Sequence, residues 1–169
     1  GYATIKDEGV AITQRTIMDI IGYFAKAQDD GAESELRIGG QTVDAIVDGV
    51  GAQPNHYATI ALAQTAGHQV IQLMYNAAGE ADTVLTTVKA LIGPAMGKVT
   101  APKITIGADG TTIKGLSFSA KDLLIGDGAS YWPKGCTVTD CEFTATAPAT
   151  CYCRDYGERN KVAFCKFSG

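Results

Sequence analysis

The chain has 169 residues, of which 46% are apolar and 19% charged, and it carries a formal net charge of −4. This apolar fraction is enough for a packed core and excludes a disordered chain. The acidic balance argues against a nucleic-acid partner, and no apolar stretch approaches the roughly 18 residues of a membrane-spanning helix.

The first forty residues are predicted to form a small β module. Short strands are expected at 2–6 and 33–38, with turns at 7–9 and 28–31. Residues 10–24 carry isoleucines at spacings that suit either a strand or a helix, so their periodicity leaves both open. The Gly39-Gly40 pair is a candidate boundary, which predicts domains at 1–40 and 41–169. No signal-peptide pattern opens the sequence.

One helix is predicted over 57–66, after a further strand over 42–50. Asn55 is the candidate N-cap and Gly67 the stop signal. About ten residues are too few for a helix that is stable alone, so its apolar face requires a partner.

From residue 69 onwards, short apolar stretches alternate with Gly, Pro, Asp and Ser. Segments 113–119, 138–144 and 162–168 align without gaps, at a nearly constant spacing of about 25 residues. One further step of the same length back from Ile113 reaches Val88. A looser repeat precedes these segments, beginning at Ile104, Leu123 and Cys151.

A period of about 25 residues predicts a parallel β-solenoid of about four coils, in which equivalent residues stack as ladders. One predicted ladder is Leu91, Leu116, Cys141 and Cys165, and another is Phe118, Phe143 and Phe167. A leucine-rich repeat shares the period, but these segments contain too little Leu. The short helix is expected to cover the first coil, because its strand edges and apolar cross-section need a cap.

All five cysteines lie between residues 136 and 165. Zinc ligation and disulfides are both possible, although no C-x₂-C pair exists and five is an odd number. We favour reduced cysteines that act as small core hydrophobes, at inward positions for Cys141, Cys151, Cys153 and Cys165. Cys136 has no inward position in this scheme.

The segments 46–49, 57–66 and 70–73 resemble the opening of pectin-lyase-like right-handed β-helices, in which a similar helix caps the first coil. The segment 5–16 is similar to a small β module of bacteriophage tailspikes, tail fibres and related virion proteins. The resemblance implies an all-β fold: a single-stranded right-handed parallel β-helix with one short capping helix, preceded by a small β module. It also implies a homotrimer whose N-terminal module docks on other virion proteins, through Asp7, Glu8, Gly9, Gln14 and Arg15.

Candidate functional residues fall into two groups. The acidic residues 109, 122, 127, 140, 155 and 158 could form a carboxylate pair for glycan cleavage, with Asp140 and Glu142 on one strand face. Most of them lie in turn sequences, so we expect turn chemistry and assign no catalytic, cofactor or metal residue. The histidines 56 and 68 flank the helix and are expected to cap it. Exposed aromatic side chains could contact glycan or a neighbouring subunit, and the candidates are Tyr131, Trp132, Tyr152 and Tyr156.

The two resemblances together imply a virion structural protein, the proximal part of a trimeric tailspike or fibre used in host attachment. It would be made in the host cytoplasm and carried on the tail or capsid surface, without membrane insertion or cofactor. Bacterial surface polysaccharide is a further expected partner. Two alternatives stay open: a capsid decoration protein, and a fragment of a β-helical polysaccharide lyase or hydrolase whose active site lies beyond Gly169.

Overall fold

The computed structural model describes residues 43–147 and 151–169 in full. Of the first 42 residues it describes only the strand backbone at 6–7, 10–11, 25–29, 34–38 and 41–42. The chain divides into two compact units, residues 1–40 and 41–169.

The described part of the first unit consists of four strands. Strands β1 (Lys6–Asp7) and β2 (Val10–Ala11) pair antiparallel. Strands β3 (Ala25–Asp29) and β4 (Ser34–Ile38) also pair antiparallel, and β4 confirms the strand predicted over 33–38. The turn predicted over 28–31 starts too early, because Gln28 and Asp29 belong to β3 and pair with Glu35 and Ser34 of β4. The strand predicted over 2–6 and the element predicted over 10–24 lie mostly outside the described residues.

The second unit contains sixteen short strands and one short helix within the described residues. In chain order they are β5 (Gln41–Thr42), β6 (Ala45–Val47), β7 (His56–Tyr57), α1 (Ile60–Thr65), β8 (Val70–Leu73), β9 (Thr83–Leu85), β10 (Ala90–Ile92), β11 (Val99–Thr100), β12 (Ile104–Ile106), β13 (Thr112–Lys114), β14 (Leu116–Ser119), β15 (Leu123–Ile125), β16 (Thr137–Thr139), β17 (Glu142–Thr144), β18 (Cys153–Asp155), β19 (Lys161–Ala163) and β20 (Lys166–Ser168).

Fifteen of these strands, β6 to β20, form three parallel sheets that the chain visits in turn. Sheet I has the order β7-β6-β8-β10-β13-β16-β19, sheet II the order β11-β14-β17-β20, and sheet III the order β9-β12-β15-β18. Each strand pairs with the equivalent strand of the next coil. The result is a right-handed parallel β-helix, which confirms the predicted fold class. It has about 5 turns, against the four that were predicted.

The helix caps the first coils, but it begins later than predicted. Its N-cap is Thr59, whose hydroxyl accepts from the Leu62 N–H at 3.2 Å. Asn55, the predicted N-cap, has a φ of 56° and precedes β7, so a strand separates it from the helix. Ile60 and Ala63 are fully buried and provide the apolar face that the cap requires.

The predicted phenylalanine ladder is confirmed. Phe118 and Phe143 stack with ring centroids 5.1 Å apart, and Phe143 and Phe167 with centroids 4.8 Å apart. The interplanar angles are 8° and 10°, which follows from the parallel, in-register pairing of β14, β17 and β20. Phe118 and Phe143 are fully buried, so this stack lies inside the column.

The second predicted ladder, from Leu91 through Leu116 and Cys141 to Cys165, is wrong in its first residue. Leu116, Cys141 and Cys165 occupy equivalent positions at the start of the sheet II strands, but Leu91 pairs with Ile71 and Ile113 in sheet I. The residue that precedes Leu116 in its ladder is Val99. The reason is loop length, because the coil from Leu91 to Ile113 is shorter than the coils that follow it.

The looser repeat is also shifted by two positions in its last copy. Ile104 pairs with Leu123 as predicted, but Leu123 pairs with Cys153 and not with Cys151.

All five cysteines are free thiols against the core. Cys141, Cys151, Cys153 and Cys165 pack there as predicted. Cys136, for which the sequence offered no inward position, is in fact fully buried, and its Sγ donates to the Ala108 carbonyl at 3.4 Å. Burial raises the pKa of Cys141 to about 11 and that of Cys153 to about 12, so both stay neutral thiols at physiological pH.

The Phe143→Ala substitution removes the middle ring of the stack and leaves a cavity between two aromatic neighbours. We expect the free energy of unfolding to fall by about 3–5 kcal/mol, measured by urea denaturation. Met96→Ala is the control, because Met96 is 88% exposed and its loss should change stability by less than about 0.5 kcal/mol. Equal effects of the two substitutions would contradict a stacked core.

Candidate functional site

The aromatic candidates lie beside sheet III, where the loop 126–135 follows β15. A single carboxylate organises this loop: Asp127 Oδ1 accepts from the backbone N–H groups of Ala129, Ser130 and Tyr131 at 2.9, 2.7 and 2.8 Å. These donors favour the ionised form and hold the pKa of Asp127 below its usual value. The loop therefore has a defined conformation that presents Tyr131 and Trp132.

Two tyrosine rings pack against glycines of neighbouring loops. A Cβ on Gly107 would lie 3.0 Å from Tyr131 Cδ1, and a Cβ on Gly128 would lie 3.0 Å from Tyr156 Cδ1. Both distances are tighter than ordinary van der Waals contact, so only glycine allows the rings to lie this close. The two rings are thereby held in place on the outside of the column.

Three exposed side chains form a row on this surface. Tyr152, Arg154 and Tyr156 lie at alternate positions along β18 and its flanks, and the two tyrosines are 40% and 38% exposed. Arg154 Cζ is 4.3 Å from the centroid of the Tyr152 ring, which is a cation–π geometry. The pKa of Arg154 is raised chiefly by a side-chain hydrogen bond with Tyr156, and a Coulombic interaction with the same residue contributes less.

The backbone under this row is fixed to the preceding coil. The Tyr152 N–H donates to Asp122 Oδ1 at 2.9 Å, and the Tyr152 carbonyl accepts from the Leu123 N–H at 2.8 Å. At the other end of the row, the Tyr156 N–H donates to the Ile125 carbonyl at 2.8 Å. The row is therefore preorganised, and a ligand would not have to order it.

The structure thus unites part of the predicted aromatic set. Tyr152 and Tyr156 meet through Arg154, which the sequence analysis missed although the alternation Tyr-x-Arg-x-Tyr was visible. Tyr131 is half-buried against Gly107, and Trp132 lies beside it, 54% exposed.

The predicted docking residues lie in the first unit. Asp7 belongs to β1, of which only the backbone is described, and Glu8, Gly9, Gln14 and Arg15 lie outside the described residues.

The candidate carboxylates act as acceptors that stabilise turns. Asp109 Oδ1 accepts from the Lys134 N–H at 2.8 Å, and Asp155 Oδ1 accepts from the Gly157 N–H at 2.8 Å. Glu158 forms an ion pair with Lys134 at 3.1 Å. Asp122 and Asp127, described above, form similar contacts. Five of the six acidic candidates therefore have a structural role, in which they stabilise a turn or join two neighbouring coils.

The predicted pairing of Asp140 with Glu142 on one strand face is wrong. Asp140 has a φ of 55° and forms the corner between β16 and β17, which belong to different sheets. Glu142 instead lies on the outer face of sheet II, in a shallow groove lined by Ala95, Gly97, Lys98, Thr100 and Ser117, with its Oε1 3.6 Å from Lys98 Nζ.

The prediction that the two histidine side chains cap helix α1 is wrong, because both bond to residues that precede the helix. His56 Nδ1 lies 2.7 Å from Asp48 Oδ2, and His68 Nε2 lies 2.7 Å from the Tyr57 hydroxyl. Asp48 Oδ1 also accepts from the N–H groups of Val50 and Gly51, and these contacts lower the pKa of Asp48 to about 2, with the Gly51 hydrogen bond the largest cause.

Three wider findings bear on function. Within the described residues, no group of three or more His, Cys, Asp or Glu side chains is arranged to hold a metal ion. Helix α1, the one helix of the described residues, is not long and apolar enough to span a membrane. Comparisons with protein-family models, curated proteins and solved structures return no match for the chain.

The Gly128→Ala substitution is expected to displace the Tyr156 ring, because the new Cβ would lie too close to it. Gly135→Ala is the matched control: both glycines have positive φ, 72° and 68°, but a Cβ at Gly135 meets nothing within 4 Å. Both variants should lose about 1 kcal/mol of stability from backbone strain. Only Gly128→Ala should change the NMR shifts of the Tyr156 ring, and equal shifts in both variants would contradict the packing.

Stability should also depend on the ionisation of Asp48. Its pKa is about 2 in the folded protein against an ordinary value of 3.8, so its contribution is present above about pH 4 and is lost as the pH falls towards 2. Thermal unfolding midpoints of the parent chain and Asp48→Asn measure this effect. The two curves should converge at low pH, and a constant difference down to about pH 2 would contradict the assignment.

Proposed function

We propose that this chain is a structural protein of a bacteriophage virion, the proximal part of a trimeric tailspike or fibre used in host attachment. In this proposal the β-helix acts as a stiff shaft, and the N-terminal residues dock on other virion proteins. The observation that carries the proposal is the capped column of in-register parallel coils. It supports a mechanical role, and five of the six acidic candidates stabilise turns or join neighbouring coils.

Stiffness follows from how the coils are joined. Sheets I, II and III each run along the column and pair every coil with the next, so bending it would break hydrogen bonds on more than one side. The stacked rings of Phe118, Phe143 and Phe167 add an apolar spine inside. Such a column can hold parts of a virion at a constant separation.

The Tyr152–Arg154–Tyr156 row gives this shaft a surface suited to bacterial surface polysaccharide. Exposed aromatic rings provide apolar faces for sugar rings, and a guanidinium can bind an acidic substituent with two N–H groups. The row is preorganised, which lowers the entropic cost of binding. A neighbouring subunit of the trimer is the other partner that the same row fits, because Tyr, Trp and Arg are enriched at interface hot spots.

Immunogold electron microscopy of purified phage particles, with antibody raised against this chain, tests the virion assignment. We expect label at the tail, at the proximal end of a spike or fibre. Light scattering of the purified chain should report a trimer. Label on the capsid shell would favour a decoration protein, and particles without label would refute both versions.

The polysaccharide contact is tested separately with polygalacturonate as an acidic probe and dextran as a neutral one. The parent chain should bind polygalacturonate in affinity electrophoresis, and Arg154→Ala should weaken that binding by about tenfold, the loss of one charge-assisted contact. Lys114→Ala, on an exposed lysine of β13 in sheet I, is the control. If Arg154→Ala instead dissociates the trimer, the row is a subunit interface.

A further inference from the structure

One long stretch of the chain is exposed but uncharged. Residues 49–79 contain neither Asp, Glu, Lys nor Arg, although these types make up 19% of the chain, and the next longest stretch without them is 143–153. Several side chains of this stretch are exposed, among them Val50 at 72%, Leu62 at 52% and Met74 at 46%. The surface therefore lacks charge where charged side chains would ordinarily lie.

Hydrogen bonds and packing bring the segments of this stretch together at the capped end. The Asp48 N–H donates to the Tyr57 carbonyl at 3.1 Å, which holds the loop that carries Val50 beside β7. The Met74 N–H donates to the Val47 carbonyl at 2.8 Å, so the end of β8 lies beside the end of β6. Helix α1 packs against β6, β7 and β8. The exposed surface of residues 49–79 is called the uncharged face below.

The carboxylates that border the uncharged face form hydrogen bonds within the chain. Asp44 accepts from two successive backbone N–H groups where β8 begins, at 3.0 and 2.8 Å. Asp48 has the contacts described above, and Glu80 accepts from the Tyr75 hydroxyl. The face therefore offers an ionic ligand neither a lysine, nor an arginine, nor a carboxylate without a partner in the chain.

This composition points to a protein as the occupant. Depletion of charged residues marks the centre of protein–protein interfaces, where methionine is also enriched. Nucleic acids and acidic polysaccharides bind through cationic side chains, which the uncharged face lacks. Val50, Leu62 and Met74 would instead gain free energy when another protein surface removes them from water.

We propose that the uncharged face is where copies of this chain contact one another. The proposal rests on the trimer of the proposed function and identifies the face through which its subunits meet. Each copy carries a net charge of −4, so identical chains repel one another over most of their surface. Close to a symmetry axis, a residue meets the same residue of the next copy, so a charged group there would meet its own sign. The uncharged face avoids that repulsion.

The substitutions Leu62→Glu and Met74→Glu test the proposal by light scattering of the full chain over a dilution series. Each places a carboxylate where it would meet its own copies, and we expect the concentration at which the trimer dissociates to rise at least about tenfold. Met96→Glu is the matched control, because it makes the same change at a methionine that is 88% exposed and lies outside the uncharged face. Added salt should leave the parent trimer intact, because it screens the net charge and no ion pair holds the contact.

The Leu62→Glu variant separates association from folding. Leu62 lies three residues after the N-cap Thr59, so a glutamate there completes a Thr-x-x-Glu capping box and should not weaken the helix. The circular dichroism spectrum should therefore match that of the parent chain while the trimer dissociates.

A trimer that both Glu variants leave intact would overturn this proposal and leave the proposed function standing. Dissociation by Arg154→Ala alone would place the contact at the Tyr152–Arg154–Tyr156 row instead. Equal dissociation by Met96→Glu, or dissociation by added salt, would also overturn the proposal. A monomeric parent chain would overturn both this proposal and the trimer, whereas the immunogold labelling tests the virion assignment independently.

Discussion

The in-register parallel pairing of each coil with the next is the constraint on which the rest of the structure depends. No coil has enough apolar residues to bury its own inner face, so each becomes stable only when its neighbours cover it. The register of β14, β17 and β20 places Phe118, Phe143 and Phe167 directly above one another. A shift of one residue in any of these strands would turn a phenylalanine out to solvent, and burial therefore selects a single register.

Once the register is set by the core, the loops between the strands are free to differ, and the surface features arise there. The Asp127 carboxylate organises one loop, and Gly107 and Gly128 leave room for the tyrosine rings that cover them. The exposed Tyr152–Arg154–Tyr156 row lies on strand β18 and its flanks, which the preceding coil holds in place. Five of the six acidic candidates, Asp109, Asp122, Asp127, Asp155 and Glu158, form hydrogen bonds or ion pairs within these loops and between coils.

The same pairing rule explains why the first coils carry a cap. Helix α1 lies over their apolar cross-section with Ile60 and Ala63 buried, and Asp48, His56, Tyr57 and His68 brace the segment before it. Without this cover, the first coils would present unpaired strand edges and apolar surface.

The amino-acid pattern was sufficient to predict the parallel β-helix, its capping helix and the phenylalanine ladder, because the later coils carry equivalent residues at a nearly constant spacing. It misplaced Leu91 and Cys151, since the coils around them have loops of other lengths, and loop length is not constrained by the buried face. It missed Thr59 as the N-cap and Arg154 between two tyrosines, although both belong to local patterns of the chain. It could not find a buried position for Cys136, because that burial depends on which residues the stacking of coils brings side by side, and stacking is a property of the folded column rather than of any one segment.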